Sequence, residues 1–158
     1  MKPYDNDPYV LEPPPTRRVS DVGSRAADQA LAGLAHGAII FGFLGIGFLM
    51  SLGIAGGVWL YGRHAPYVEY HAKQAGCYQI FVLLVNILTL ILIGVMFGVS
   101  LLYPQWGFAG TLAWGLLIVW ACWFVGSILF GVLAAVLVLL GKPFAYPYFG
   151  RRAARRLR

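Results

Sequence analysis

Charge is what the middle of this sequence lacks. Leu31 to Tyr61 contains no Lys, Arg, Asp or Glu and one histidine, and from Gly76 to Phe149 the one charged residue is Lys142. Charged residues make up 11% of the chain and apolar residues 59%, where a soluble domain carries about a quarter charged residues. An ordinary soluble domain is therefore excluded. Charge-free apolar runs of this length read as bilayer spans, because about 20 helical residues cross the hydrocarbon. Cysteine is scarce as well. Cys77 and Cys122 both fall in apolar stretches, which excludes a disulfide scaffold and leaves them as small packing residues. Catalytic patterns are also missing: there is no metal-ligand spacing, no phosphate loop, no nucleophile with a base and no pair of buried carboxylates. The sequence thus predicts a non-enzyme without a resident cofactor. The first residues do not read as a secretory signal, since no short basic region precedes an apolar stretch and a small-residue cleavage site.

What is present is ordered along the chain. Residues 1–23 form a tail in which Pro3, Pro8, Pro13, Pro14 and Pro15 favour extended or disordered chain. A helix start is expected at Ser20–Ser24, where Ser and Asp can cap exposed N–H groups. The apolar stretch 31–61 is about 46 Å long as a helix, long for one crossing and short for two. Gly42, Gly45 and Gly47 weaken it in the middle, which gives two short helices near 24–43 and 46–62. A third helix runs from the island 63–75 to about Leu102. Tyr103-Pro104-Gln105-Trp106-Gly107 is a turn, and the fourth helix runs from Phe108 to Leu140, stopped by Gly141-Lys142-Pro143. The expectation is an all-α polytopic transmembrane bundle of four helices over 24–149, its first two a short hairpin, with 150–158 as a basic tail. Three spans remain the alternative. The hairpin places all twelve Lys and Arg on one side, and the positive-inside rule then makes both termini cytoplasmic in a multi-pass protein of the inner (plasma) membrane.

The polar island Arg63-His-Ala-Pro-Tyr-Val-Glu-Tyr-His-Ala-Lys-Gln-Ala75 interrupts this apolar sequence. Pro66 suits a helix start. From there Tyr67, Tyr70, His71, Gln74 and Tyr78 recur at helical spacing, and Glu69 and Lys73 stand four apart in the favourable ion-pair order. The face reads either as an interaction surface for a polypeptide, lipid headgroup or neighbouring subunit, or as an interfacial anchor with tyrosines at headgroup depth. Two further polar residues lie inside apolar sequence. His36 follows small residues, so it reads as a bundle histidine or as the ligand of a haem or pigment. Asn86 reads as a hydrogen-bonding contact between helices. Three glycine pairs at four-residue spacing, Gly33/Gly37, Gly53/Gly57 and Gly94/Gly98, match the close-packing pattern of membrane helices. Arg151, Arg152, Arg155, Arg156 and Arg158 are candidate contacts to anionic lipid. A basic run fused to a membrane domain does not suggest nucleic acid.

The island, together with Trp59-Leu-Tyr-Gly62 before it, Leu140-Gly-Lys-Pro-Phe-Ala-Tyr-Pro-Tyr-Phe149 and Leu34-Ala-His36, resembles the Tic20-like family. These are small bacterial polytopic membrane proteins related to a chloroplast inner-envelope import component. The resemblance implies a four-helix polytopic fold, a role in protein translocation for the plastid branch alone, and no catalytic residue. From the residues, the leading expectation is a non-enzymatic integral membrane protein working by helix association as a small accessory or structural subunit of a larger membrane complex. Its partners are then the bilayer and other membrane subunits. A translocation component and a pigment- or haem-binding subunit using His36 are the alternatives.

Overall fold

The computed structural model describes residues 20–44 and 47–149. The Pro-rich segment 1–19 and the tail 150–158, with the five arginines expected to meet lipid, lie outside the described residues. Among the described residues there are four α-helices and no strand: α1 (Ser20–Gly37), α2 (Gly47–Gly62), α3 (Pro66–Leu102) and α4 (Gly107–Leu139). A 3-10 segment, Ala38–Leu44, continues α1, and a second, Pro104–Trp106, joins α3 to α4.

Local chemistry accounts for the boundaries. α1 begins at Ser20, inside the segment assigned to the tail, and tightens after Gly37, where glycine lowers helix stability. A side chain at Gly47 would overlap the Phe41 carbonyl, so the chain can reverse there only with glycine. The single long helix over 31–61 is therefore not formed, and α1 and α2 make a hairpin. Pro66 opens α3 after an extended Ala65. α4 ends in a Schellman motif. Gly141 has φ +70, its N–H donates to the Val138 carbonyl at 2.9 Å, and the Lys142 N–H donates to the Leu137 carbonyl at 2.9 Å.

α3 packs along α4, and the α1–α2 hairpin lies against both. Its register is antiparallel to α4: Gly33 meets Leu139, Gly37 meets Ala135, and Ile39 meets Gly131, while Phe48 reaches Phe124. The hairpin therefore covers α4 from about residue 139 to 124 and the first half of α3. The island, the start of α1 and the end of α4 share one end of the bundle, where Gln29 approaches Gly141. The turn at Tyr103–Trp106 stands at the other end. In the distal half of α3–α4, from 87 to 122, the buried residues are Ile93, Ala109 and Ala113.

α3 and the stretch Pro104–Leu139 are long and apolar enough to cross a membrane, with mean hydropathy 2.9 and 2.5 over their most apolar windows. Those windows are 17% and 33% buried within the chain. Cys77 and Cys122 are free thiols on the outer surface, so neither packs inside the bundle.

Candidate functional site

A buried polar cluster forms at the charged end of the bundle, where α1, α3 and the segment after α4 converge. His36 stands in the last turn of α1 and is 1% exposed; His71, one turn into α3, is 3% exposed. His36 Nε2 lies 3.2 Å from His71 Nδ1. On the other side of the ring, His36 Nδ1 lies 3.2 Å from the Tyr146 hydroxyl. One of the two facing imidazole nitrogens carries the proton and the other accepts it, and the Tyr146 hydroxyl, both donor and acceptor, satisfies either tautomer.

Tyr146 reaches the cluster because Gly141 and Pro143 end α4 and turn the chain back under the bundle. Its ring stacks on Tyr78 at 4.2 Å and 13°, and its backbone N–H donates to Gln74 Oε1 at 3.0 Å. Burial, with Tyr78 adding to it, pushes the Tyr146 hydroxyl above its ordinary titration range, so it stays a neutral phenol. The Tyr78 hydroxyl donates to the Ser127 carbonyl at 2.9 Å, and Gln79 Nε2 donates to the Ala35 carbonyl at 2.9 Å. Rings of Tyr67, Tyr70 and Phe144 surround the histidine pair. Two amide atoms are buried without a partner here, Gln74 Nε2 and Gln79 Oε1. Among the described residues, no three of His, Cys, Asp and Glu come together.

The sequence placed Tyr67, Tyr70, His71, Gln74 and Tyr78 on one face of a helix, and α3 carries them so. His71, Gln74 and Tyr78 are buried against other parts of the same chain, while Tyr67 and Tyr70 are half-buried. At the three inner positions the face meets other parts of the chain itself. Glu69 and Lys73 pair at 2.6 Å. His36 has both ring nitrogens engaged, and Gly33, one turn before it, is filled by Leu139. Leu139 thus fills the helix face before His36 and leaves no flat seat for a macrocycle there. Asn86 makes a separate contact farther along α3. Its Oδ1 accepts the Trp120 indole N–H from α4 at 2.7 Å, and its Nδ2 donates to the Val82 carbonyl at 2.7 Å.

Sequence reasoning missed Tyr146, Gln79 and Trp120. The signal for Tyr146 was its place after a Gly-Lys-Pro stop: an aromatic that follows a sharp helix end can fold back. Nothing local marked Gln79 or Trp120.

No curated protein and no solved structure matches the chain. The pattern of the MamF/MmsF family, described as the magnetosome magnetite crystal formation protein family, matches residues 27–152. This overturns the Tic20-like resemblance and the protein-transport reading attached to it. The strings that carried that resemblance all lie inside the matched region. They combine residue types that any interfacial helix entrance and helix stop favour (Pro, Tyr, His, Gly-Lys-Pro), so short likeness there was poor evidence of descent. With its helical bundle and nearly all of its described residues inside the match, the chain belongs to the MamF/MmsF family.

Proposed function

We propose that this chain is a small, non-enzymatic, multi-pass protein of the magnetosome membrane that acts in magnetite crystal formation by association with other membrane proteins. The family match over 27–152 is the observation that carries this reading. The structure supports the membrane part of it. A core helix of a soluble protein is mostly buried, whereas the apolar windows of α3 and α4 are 17% and 33% buried. Leu84, Leu88, Ile91, Leu101, Leu112, Ile118 and Val119 all stand outward. Such a surface needs lipid or protein cover.

The sidedness we propose is supported by the fold together with the charge pattern. The described cations Arg25, Arg63, Lys73 and Lys142 all belong to the end of the bundle that holds the island, which the positive-inside rule assigns to the cytoplasm. The Tyr103–Trp106 turn then faces the magnetosome interior. An accessory role agrees with a chain whose polar groups are spent on holding its own helices together.

Deleting the gene in a magnetite-forming bacterium tests the proposal, with electron microscopy of the crystals and a fluorescent fusion to locate the protein. Crystals altered in size or shape, with the fusion aligned along the magnetosomes, are the expected outcome. Unchanged crystals would reject the role, and a lone 17 kDa species on native electrophoresis after crosslinking would reject the association.

A further inference from the structure

We propose that His36 and His71 form a binding site for a divalent first-row transition-metal ion, with Tyr146 and Gln74 positioning the site. Imidazole suits iron, copper, nickel and zinc. His36 Nε2 and His71 Nδ1 face each other at 3.2 Å. Two nitrogens at that separation, each about 2.1 Å from one ion, subtend about 100° at it, between the octahedral and tetrahedral angles. The ring centroids stand 5.4 Å apart, so the two nitrogens face each other nearly head-on, and each ring must tilt to aim its lone pair at one shared ion.

Three further observations point to a ligand. First, the two imidazoles come from different helices, and a third element, the segment after α4, locks one of them. Second, the Tyr146 hydroxyl holds the far nitrogen of His36 at 3.2 Å, as the outer partner of a metal-bound histidine fixes ring and tautomer. Third, Gln74 is 0% exposed and its Nε2 has no partner. It stands one turn after His71 on the same face, with its Oε1 already committed to the Tyr146 N–H. A buried N–H donor without a partner, held on the His71 face of α3, suits a water or anion accompanying the ion. Since no third His, Cys, Asp or Glu joins the pair among the described residues, the remaining positions fall to such exogenous ligands.

Binding balances as a tautomer exchange. Without metal, one facing nitrogen carries N–H and the other accepts it. With metal, both facing nitrogens turn their lone pairs to the ion, and each ring keeps its proton on the far nitrogen. For His36 that is Nδ1–H, donated to the Tyr146 hydroxyl. No proton is gained or lost by the neutral pair. Choosing ferrous iron as the physiological ion rests on the proposed function; the site itself rests on geometry.

The test is titration of the purified full chain in nanodiscs with Co²⁺ alone, followed by visible absorption and by metal content, with anaerobic Fe²⁺ as competitor. We expect one Co²⁺ per chain, displaced by Fe²⁺ in large excess, because nitrogen donors hold Co²⁺ more tightly than Fe²⁺. His36→Gln and His71→Gln lose it, and Tyr146→Phe weakens it about 10–100-fold. His64→Gln, at an exposed island histidine, leaves it unchanged. Helicity and elution volume report folding; if a histidine variant misfolds, Tyr146→Phe and the imidazole ¹⁵N shifts of the wild type decide. Absence of stoichiometric binding, or binding retained in both folded histidine variants, overturns the site. A metal-free chain that binds Co²⁺ but takes up no Fe²⁺ under anaerobic conditions keeps the site and rejects iron as its ion. Unchanged crystals in the deletion strain reject the function while leaving the Co²⁺ result standing.

Discussion

His36 shows how one residue sets the character of the charged end. Its ring is fixed from α3 by His71 and from the C-terminal segment by Tyr146, so three parts of the chain separated by up to 110 residues meet on one imidazole. Asn86 plays the simpler form of that role farther along. Its contact with Trp120 joins α3 to α4 in a region with few buried residues. In a membrane such bonds average about 0.6 kcal/mol, because the alternative state also finds partners. Trp120→Phe leaves Asn86 Oδ1 without its donor and should destabilise the fold by about 1 kcal/mol. Adding Asn86→Leu removes the orphan and should recover most of that loss. Unfolding in mixed micelles measures both. A double variant as unstable as the sum of the singles would mean that the two side chains do not interact. Sequence reasoning found Asn86 and His36 because polar residues stand out in apolar sequence. It did not find Tyr146 or Trp120, whose roles depend on what a distant segment brings to them.

At the scale of elements, helix ends were legible, and beyond the polar start of α3 helix faces were not. Pro66, Pro104, Gly141 and Pro143 punctuate the chain, and the structure stops or starts helices at them. Faces were obscure for a physical reason. A lipid-facing side chain is as apolar as a core one, so α3 and α4 carry no amphipathic stripe to say which side turns inward. The glycine pairs show the consequence. All three matched the close-packing pattern, yet just Gly33/Gly37 packs within the chain, against Leu139 and Ala135 of α4. Gly53, Gly57, Gly94 and Gly98 have open space where a side chain would stand. Gly131→Leu drives a side chain into Ile39 and should cost roughly 1–3 kcal/mol through overpacking. Gly94→Ala meets nothing within the chain and should be neutral or stabilising by up to about 1 kcal/mol, the helix preference of Ala over Gly. Thermal unfolding of the isolated protein separates the two. If Gly94→Ala instead leaves stability intact but disrupts assembly with other membrane proteins, that glycine belongs to an intermolecular contact.

The whole molecule poses a question of length. α4 has 33 residues and α3 has 37, about 50 and 55 Å as helices, against a hydrocarbon core of about 30 Å. The α1–α2 hairpin covers the half nearest the charges, and the distal half of α3–α4 continues past it. In the proposed orientation the cationic end lies in the cytoplasm and the apolar shaft is sheathed by lipid, tilted to absorb the excess length. Exposure measured on the chain alone then differs from exposure in the membrane. Cys77 and Cys122 both lie on the outer surface of the chain, yet they belong to the apolar shaft. In sealed vesicles a membrane-impermeant maleimide should leave both unlabelled, and detergent should make them reactive. In a variant lacking both thiols, Arg63→Cys and Lys142→Cys should label from the cytoplasmic face, and Gln105→Cys, in the far turn, from the opposite face alone. Labelling of Gln105→Cys from the same face as Arg63→Cys would place both ends of the α3–α4 hairpin on one side. The shaft would then not cross the bilayer, and its apolar surface would need cover from another protein in place of lipid.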